Sequence, residues 1–145
     1  MLALAASLAQ SLSASQPEEL VLTELDNGKT NIAVPEQPIS INLRGNPSTG
    51  FAWILTSTNG NSVVATAPST YSTDPGGGVG GGGTFLFSFQ AVEPGETTLL
   101  FDYLQPWNPD SRAQTFATTI LVAAADALPR LSIELVNVQV AIISR

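Results

Sequence analysis

The chain has 145 residues, with 12 carboxylates against 5 Lys and Arg and a formal charge of −7. Cysteine and histidine are both absent, which excludes disulfides, thiolate or imidazole metal sites, a Cys/His dyad and a Ser/His/Asp triad, and no cofactor is implied. The negative charge is the wrong sign for tracking phosphates, so nucleic acid is not expected as a partner, and no apolar run reaches the roughly 20 residues of a membrane span.

Residues 1–16, MLALAASLAQSLSASQ, are apolar and end in a small-residue patch at Ser13-Ala14-Ser15. They read either as a truncated signal peptide without its basic start or as an N-terminal helix; the first reading implies export to a periplasm or the extracellular space. Residues 19–25 follow as a first strand, Asp26-Asn27-Gly28-Lys29 as a hairpin turn and residues 30–34 as the returning strand. Ile39, Ile41 and Leu43 alternate with polar residues, and Phe51, Trp53 and Leu55 repeat the pattern after a turn at residues 46–50. Trp53, set in that alternation, is a core residue. A weaker strand over residues 62–67 leads through Tyr71 to a glycine run at residues 76–83, broken only by Val79. Phe85, Phe87 and Phe89 line one face of the next strand, a Pro94-Gly95 turn follows, and Leu99, Phe101 and Tyr103 share a face on the strand after it. Phe116, Thr118, Ile120 and Val122 form the last strand of the series.

Short strands at near-regular spacing, with almost no helical periodicity, are the pattern of an all-β sandwich or barrel. Beyond Val122 the composition changes: residues 123–127 read as a linker, and Val136, Val138, Val140 and Ile142 alternate in a tail of unassigned role. The domain is expected over residues 19–123, with the tail at residues 124–145. If successive strands alternate in direction, every second connection lies at the same end. Those connections are residues 44–50, 71–83 and 105–113.

Each of the three loops has a plain explanation when taken alone. Asn46-Pro47-Ser48-Thr49-Gly50 has the composition of a strand connection, with Pro fixing φ and hydroxyls bonding nearby backbone. The glycine run matches a flexible linker; it is no phosphate-binding loop, because no Lys-Ser/Thr pair follows it. Trp107 stands between Pro106 and Pro109 in a turn-rich segment, where it lacks core neighbours and fits a binding anchor.

Together the loops resemble the set carried by the chagasin family of cysteine protease inhibitors. That family has an Asn-Pro-Thr-Thr-Gly first loop before a Phe-Ala-Trp strand, a Gly-x-Gly-Gly second loop and an Arg-Pro-Trp third loop. The matching residues here are Asn46-Pro47-Ser48-Thr49-Gly50 with Phe51-Ala52-Trp53, then Gly80-Gly81-Gly82-Gly83, then Gln105-Pro106-Trp107. Two departures stand out: Ser48 keeps a hydroxyl but loses a methyl, and Gln105 replaces a charged donor with a neutral one. The resemblance implies an immunoglobulin-like antiparallel β-sandwich, monomeric and not an enzyme, that inhibits papain-family cysteine proteases reversibly. In such inhibitors the first loop covers the catalytic pair, the glycine loop pairs with the non-primed side and the Trp loop packs on the primed side.

Two other classes compete. A β-sandwich adhesion module could use the same loops, and Trp107, to grip a carbohydrate or another protein. An enzyme would need Glu93, Glu96, Asp102 or Asp110 to act as a carboxylate pair.

Overall fold

The computed structural model describes residues 17–76 and 81–124. The leader-like stretch 1–16, Gly80 with the rest of 77–79, and the tail from residue 125 lie outside the described residues.

The described residues form nine strands: β1 (Leu20–Leu22), β2 (Thr30–Ala33), β3 (Pro38–Gly45), β4 (Ala52–Asn59), β5 (Val63–Ala65), β6 (Thr70–Thr73), β7 (Gly83–Ala91), β8 (Gly95–Leu104) and β9 (Gln114–Val122). One sheet runs β1-β3-β7, with β5 and β6 both paired along the far side of β7; the other runs β2-β9-β8-β4. Period-two alternation decides which face is buried. Along β7, Phe85, Phe87, Phe89 and Ala91 are buried while the residues between them are half-exposed, and β9 buries Phe116, Thr118, Ile120 and Val122. The two faces meet around Phe101, whose ring centroid lies 4.7 Å from that of Phe87 and 5.9 Å from that of Phe116. Burying one such side chain contributes about 1.5–3 kcal/mol, so this cluster carries much of the stability. Trp53 is core as expected, 3% exposed, with its indole N–H donating to the Arg44 carbonyl at 2.8 Å.

The all-β sandwich stands, but its N-terminal part is wired differently from the sequence reading. Residues 26–29 are not a hairpin turn. β1 ends early in a 3-10 turn, Glu24–Asp26, capped by Thr23, whose amide donates to the Asp26 carboxylate at 2.9 Å. The chain then crosses to the other sheet, where β2 pairs parallel with β9, while β1 pairs parallel with β3. Hydrogen bonds explain the crossing: the Gly28 N–H donates to the Ala117 carbonyl at 2.7 Å and the Asn27 side chain accepts from the Ala117 N–H at 2.9 Å. These bonds fasten the turn to β9 instead of letting the chain fold back on β1. The interior pairings are antiparallel, and the two parallel pairs both involve this N-terminal segment.

β6 is an additional strand. It is short and on an edge, and only Tyr71 within it is half-buried, so it lacks the alternation that marks the other strands. Its presence leaves the direction argument intact. Both β5 and β6 run antiparallel to β7, so they act as one interrupted strand, and the three loops still emerge at one end.

Candidate functional site

The first loop leaves β3 at Gly45, where a side chain would collide with the rings of Phe85 and Tyr103. Asn46 follows, its N–H donating to the Tyr103 hydroxyl at 2.8 Å. The side-chain oxygen of Asn46 accepts from the Ser48 N–H at 3.1 Å and from the Ser48 hydroxyl at 2.6 Å. Thr49 donates both its N–H and its hydroxyl to the Asn46 carbonyl, at 3.2 and 2.7 Å. Pro47 opens a single 3-10 turn, Pro47–Thr49, and Gly50 closes it at φ +84° with its N–H on the Pro47 carbonyl. Only glycine takes that left-handed conformation without strain. The result is a knuckle whose proline, hydroxyl residues and tip face solvent while every N–H after Pro47 is used internally. Both hydroxyl protons are committed inward too, so toward a partner Ser48 and Thr49 present oxygen lone pairs.

The third loop packs beside it. Gln105 and Asn108 close a tight turn, with the Asn108 N–H on the Gln105 carbonyl at 2.8 Å, and the Ser111 hydroxyl accepts from the Gln105 N–H and donates to the Asn108 carbonyl. Trp107 stands at the crest, 71% exposed. Its indole lies against the first loop: a β-carbon built on Gly50 would sit 2.7 Å from the far edge of the ring. The same added β-carbon would lie 3.5 Å from the Gln105 side-chain amide nitrogen.

The second loop joins β6 to β7. Among its described residues, the Asp74 N–H donates to the Gly82 carbonyl at 3.2 Å, closing the loop's root. Gly82, at φ +85°, stands 3.3 Å from the Gly45 carbonyl as measured from an added β-carbon, which sets the second loop against the first. Gly81 is exposed. Gly83 is placed differently from its neighbours: it is buried as the first residue of β7, paired with Gly45 and Thr73, where a β-carbon would lie 2.0 Å from the Ser72 carbonyl oxygen. Close approach of β6 explains this glycine.

The structure thus gathers Asn46 to Gly50, Gly81, Gly82, Gln105, Pro106 and Trp107 at one end, and sets Gly83 beneath them. Three residues that the sequence reading did not assign to the site hold it in place. Tyr103 joins the loop to the core, its ring 5.1 Å from Trp53 and 5.4 Å from Phe51. Arg44 and Asp74 form an ion pair at the root of the second loop, with Nη1 2.6 Å from Oδ1. The hydrogen bond from Arg44 holds the Asp74 carboxyl below the usual carboxylate range. The only sequence signal for the pair was a lone cation beside a loop in a chain with few cations.

The four carboxylates an enzyme would need do not converge. Glu93 and Glu96 flank the turn between β7 and β8, Asp110 is exposed in the third loop, and Asp102 is buried on the sheet, accepting from the hydroxyls of Thr115 and Thr56. Among the described residues no group of three or more Asp or Glu could hold a metal ion, and no helix is long and apolar enough to cross a membrane.

The sequence model of the chagasin family peptidase inhibitors, I42, matches residues 16–120. The chain belongs to the chagasin family. Amoebiasin-1 of Entamoeba histolytica is 31% identical over 102 residues, covering 70% of this chain and 97% of that protein. Chagasin of Trypanosoma cruzi is 29% identical over 105 residues, covering 70% and 96%. The crystal structure of the cysteine protease inhibitor EhICP2 from Entamoeba histolytica has the same fold, with a TM-score of 0.63 at 21% identity over 75% of this chain and 99% of that one. The chagasin family is one of protease inhibitors, and the match includes all three loops.

Proposed function

We propose that this chain inhibits papain-family cysteine proteases reversibly and without covalent chemistry, filling the active-site cleft with three loops. The observation that carries the reading is the knuckle at residues 46–50, flanked by Trp107 and the glycine loop at one end of a rigid sandwich. A substrate enters such a cleft extended, with a carbonyl aimed at the nucleophile. Here the 3-10 turn and the left-handed Gly50 fold the backbone away from that geometry, so a thiolate meets no peptide bond in attack position. The lone pairs of Ser48 and Thr49 can accept from the imidazolium of the catalytic pair. Gly81 and Gly82, with Gly80, offer backbone unshielded by side chains to one side of the cleft, and Pro106 and Trp107 offer apolar surface to the other.

Internal bracing supports the affinity. The hydrogen bonds within residues 46–50 fix the loop before contact, so little conformational entropy is lost on docking. Gln105 brings a neutral donor to the third-loop contact. The apolar start with Ser13-Ala14-Ser15 supports export, which sequencing the N-terminus of the mature protein would check.

Titration of papain with folded inhibitor tests the main reading. Competitive inhibition with the inhibitor recovered uncleaved is expected; unchanged turnover at micromolar excess would refute it.

A further inference from the structure

We propose that Arg44 is a positioning residue for the glycine-rich loop, its clamp on Asp74 fixing where the root of that loop stands beside the first loop. The consequence for affinity rests on the inhibitor reading above; the structural role does not. Arg44 is held on both backbone sides. Its N–H donates to the Glu24 carboxylate and its carbonyl accepts from the Trp53 indole at 2.8 Å. From this fixed base the guanidinium reaches across β7 to Asp74 in a two-point contact, 2.6 Å from Nη1 to Oδ1 and 2.5 Å from Nη2 to Oδ2, passing Thr84 Oγ1 at 3.5 Å. A forked contact of this kind fixes angle as well as distance.

Asp74 is the last residue before the loop opens, and its own N–H closes the root on Gly82. Among the described residues of the loop, its side chain makes the one side-chain tie to the sandwich. Beyond it, a β-carbon on Gly76 would meet nothing within 4 Å. The described ends of the loop are thus held beside the first loop by this clamp, by the bond from the Asp74 N–H to the Gly82 carbonyl and by the close approach of Gly82 to the Gly45 carbonyl. Both partners are partly exposed, 57% for Arg44 and 32% for Asp74, so the clamp is open to screening by salt.

The test compares Arg44→Asp, Asp74→Arg and the double exchange Arg44→Asp/Asp74→Arg with the parent. Each single variant is expected to weaken papain inhibition about two- to fivefold at low salt, the difference shrinking at about 1 M salt. The double exchange should return to within a factor of about two of the parent. The singles change net charge in opposite directions, so electrostatic steering alone would weaken one and strengthen the other. Hydrogen exchange at the Asp74 amide should quicken in Arg44→Asp while β8 and β9 stay protected. If a reversal variant fails to fold, Arg44→Met and Asp74→Asn replace it with the same expected direction. Unchanged inhibition together with unchanged exchange at residue 74 would overturn the proposal, as would a double exchange no better than the singles. If the parent does not inhibit papain, the inhibitor reading fails, and the exchange rate alone decides whether Arg44 holds the loop root.

Discussion

Trp107 and Trp53 show how one residue type takes opposite roles a short distance apart. Trp53 sits in an alternating strand and is buried with its N–H satisfied, whereas Trp107 rides a turn, largely exposed, with its ring edge over Gly50. Removing Trp107 should therefore leave the fold intact, since exposed substitutions usually change stability by less than about 0.5 kcal/mol. Binding should respond strongly. Trp107→Ala is expected to weaken papain inhibition by about 2 kcal/mol or more, roughly 30-fold, chiefly through faster dissociation. Stopped-flow association and dissociation rates, with a thermal melt as control, decide this; a variant that unfolds would make Trp107 a structural residue. Both tryptophans were legible in the sequence, because strand alternation and flanking prolines are local signals. The loop hydroxyls were expected to bond nearby backbone, and Thr49 does so on the Asn46 carbonyl; that Ser48 turns instead to the Asn46 side-chain oxygen was not legible, because it depends on the turn that Asn46 builds.

Among the elements, the short edge strand β6 was the one not readable; the other strands, edge strands included, were. Phe85, Phe87 and Phe89 announce β7 in the sequence alone. β6 has no apolar alternation, and the crossing from β1 to β2 depends on bonds to Ala117 in β9, far away in sequence. The shared end of the three loops was legible because strand direction survives an overlooked strand that continues its predecessor. Gly83 was read as part of the loop motif, yet its lack of a side chain is what lets β6 approach β7. A methyl group 2.0 Å from the Ser72 oxygen must part the two strands, and such overpacking costs about 1–3 kcal/mol. Gly83→Ala is expected to lower the unfolding midpoint, speed amide exchange in β6 and weaken inhibition. Gly28→Ala provides the comparison: its φ is +78° but nothing lies within 4 Å, so only left-handed strain of about 1–2 kcal/mol applies. A Gly83→Ala variant with β6 exchange as slow as in the parent would exclude the close-approach explanation.

For the whole molecule, the absence of histidine and cysteine has a direct functional reading. No side chain has an ordinary pKa between about 5 and 8, so apart from the α-amino group the inhibitor's charge changes little between about pH 6 and 8. Inhibition constants corrected for the protease's own ionisation should be flat over that range, and a residual slope would contradict this. Acid is different. Folding lowers the pKa of Asp74 through its bond from Arg44, so the folded state binds this proton less readily than the unfolded chain. The pair's stabilisation is present above the ordinary carboxylate value of about 4 and is lost as pH falls through the lowered folded value. Melting midpoints of the parent minus those of Asp74→Asn should be constant from neutral pH to about 4 and shrink below it.

The N-terminal segment that crosses between the sheets also fixes an order of events during synthesis. β2 lies against β9, and Lys29 and Thr118, bonded across that seam, are 89 positions apart. At about 5–20 residues per second, β2 leaves the ribosome roughly 5–20 s before the strand it must pair with. Throughout that interval Ile32 and Ala33 have no partner, and an unpaired apolar edge is a site for wrong association. A nascent chain that stops short of Gln114 lacks the strand lying between β2 and β8, so the second sheet cannot close until β9 has been made. Slow decoding between residues 34 and 113 would lengthen this vulnerable interval.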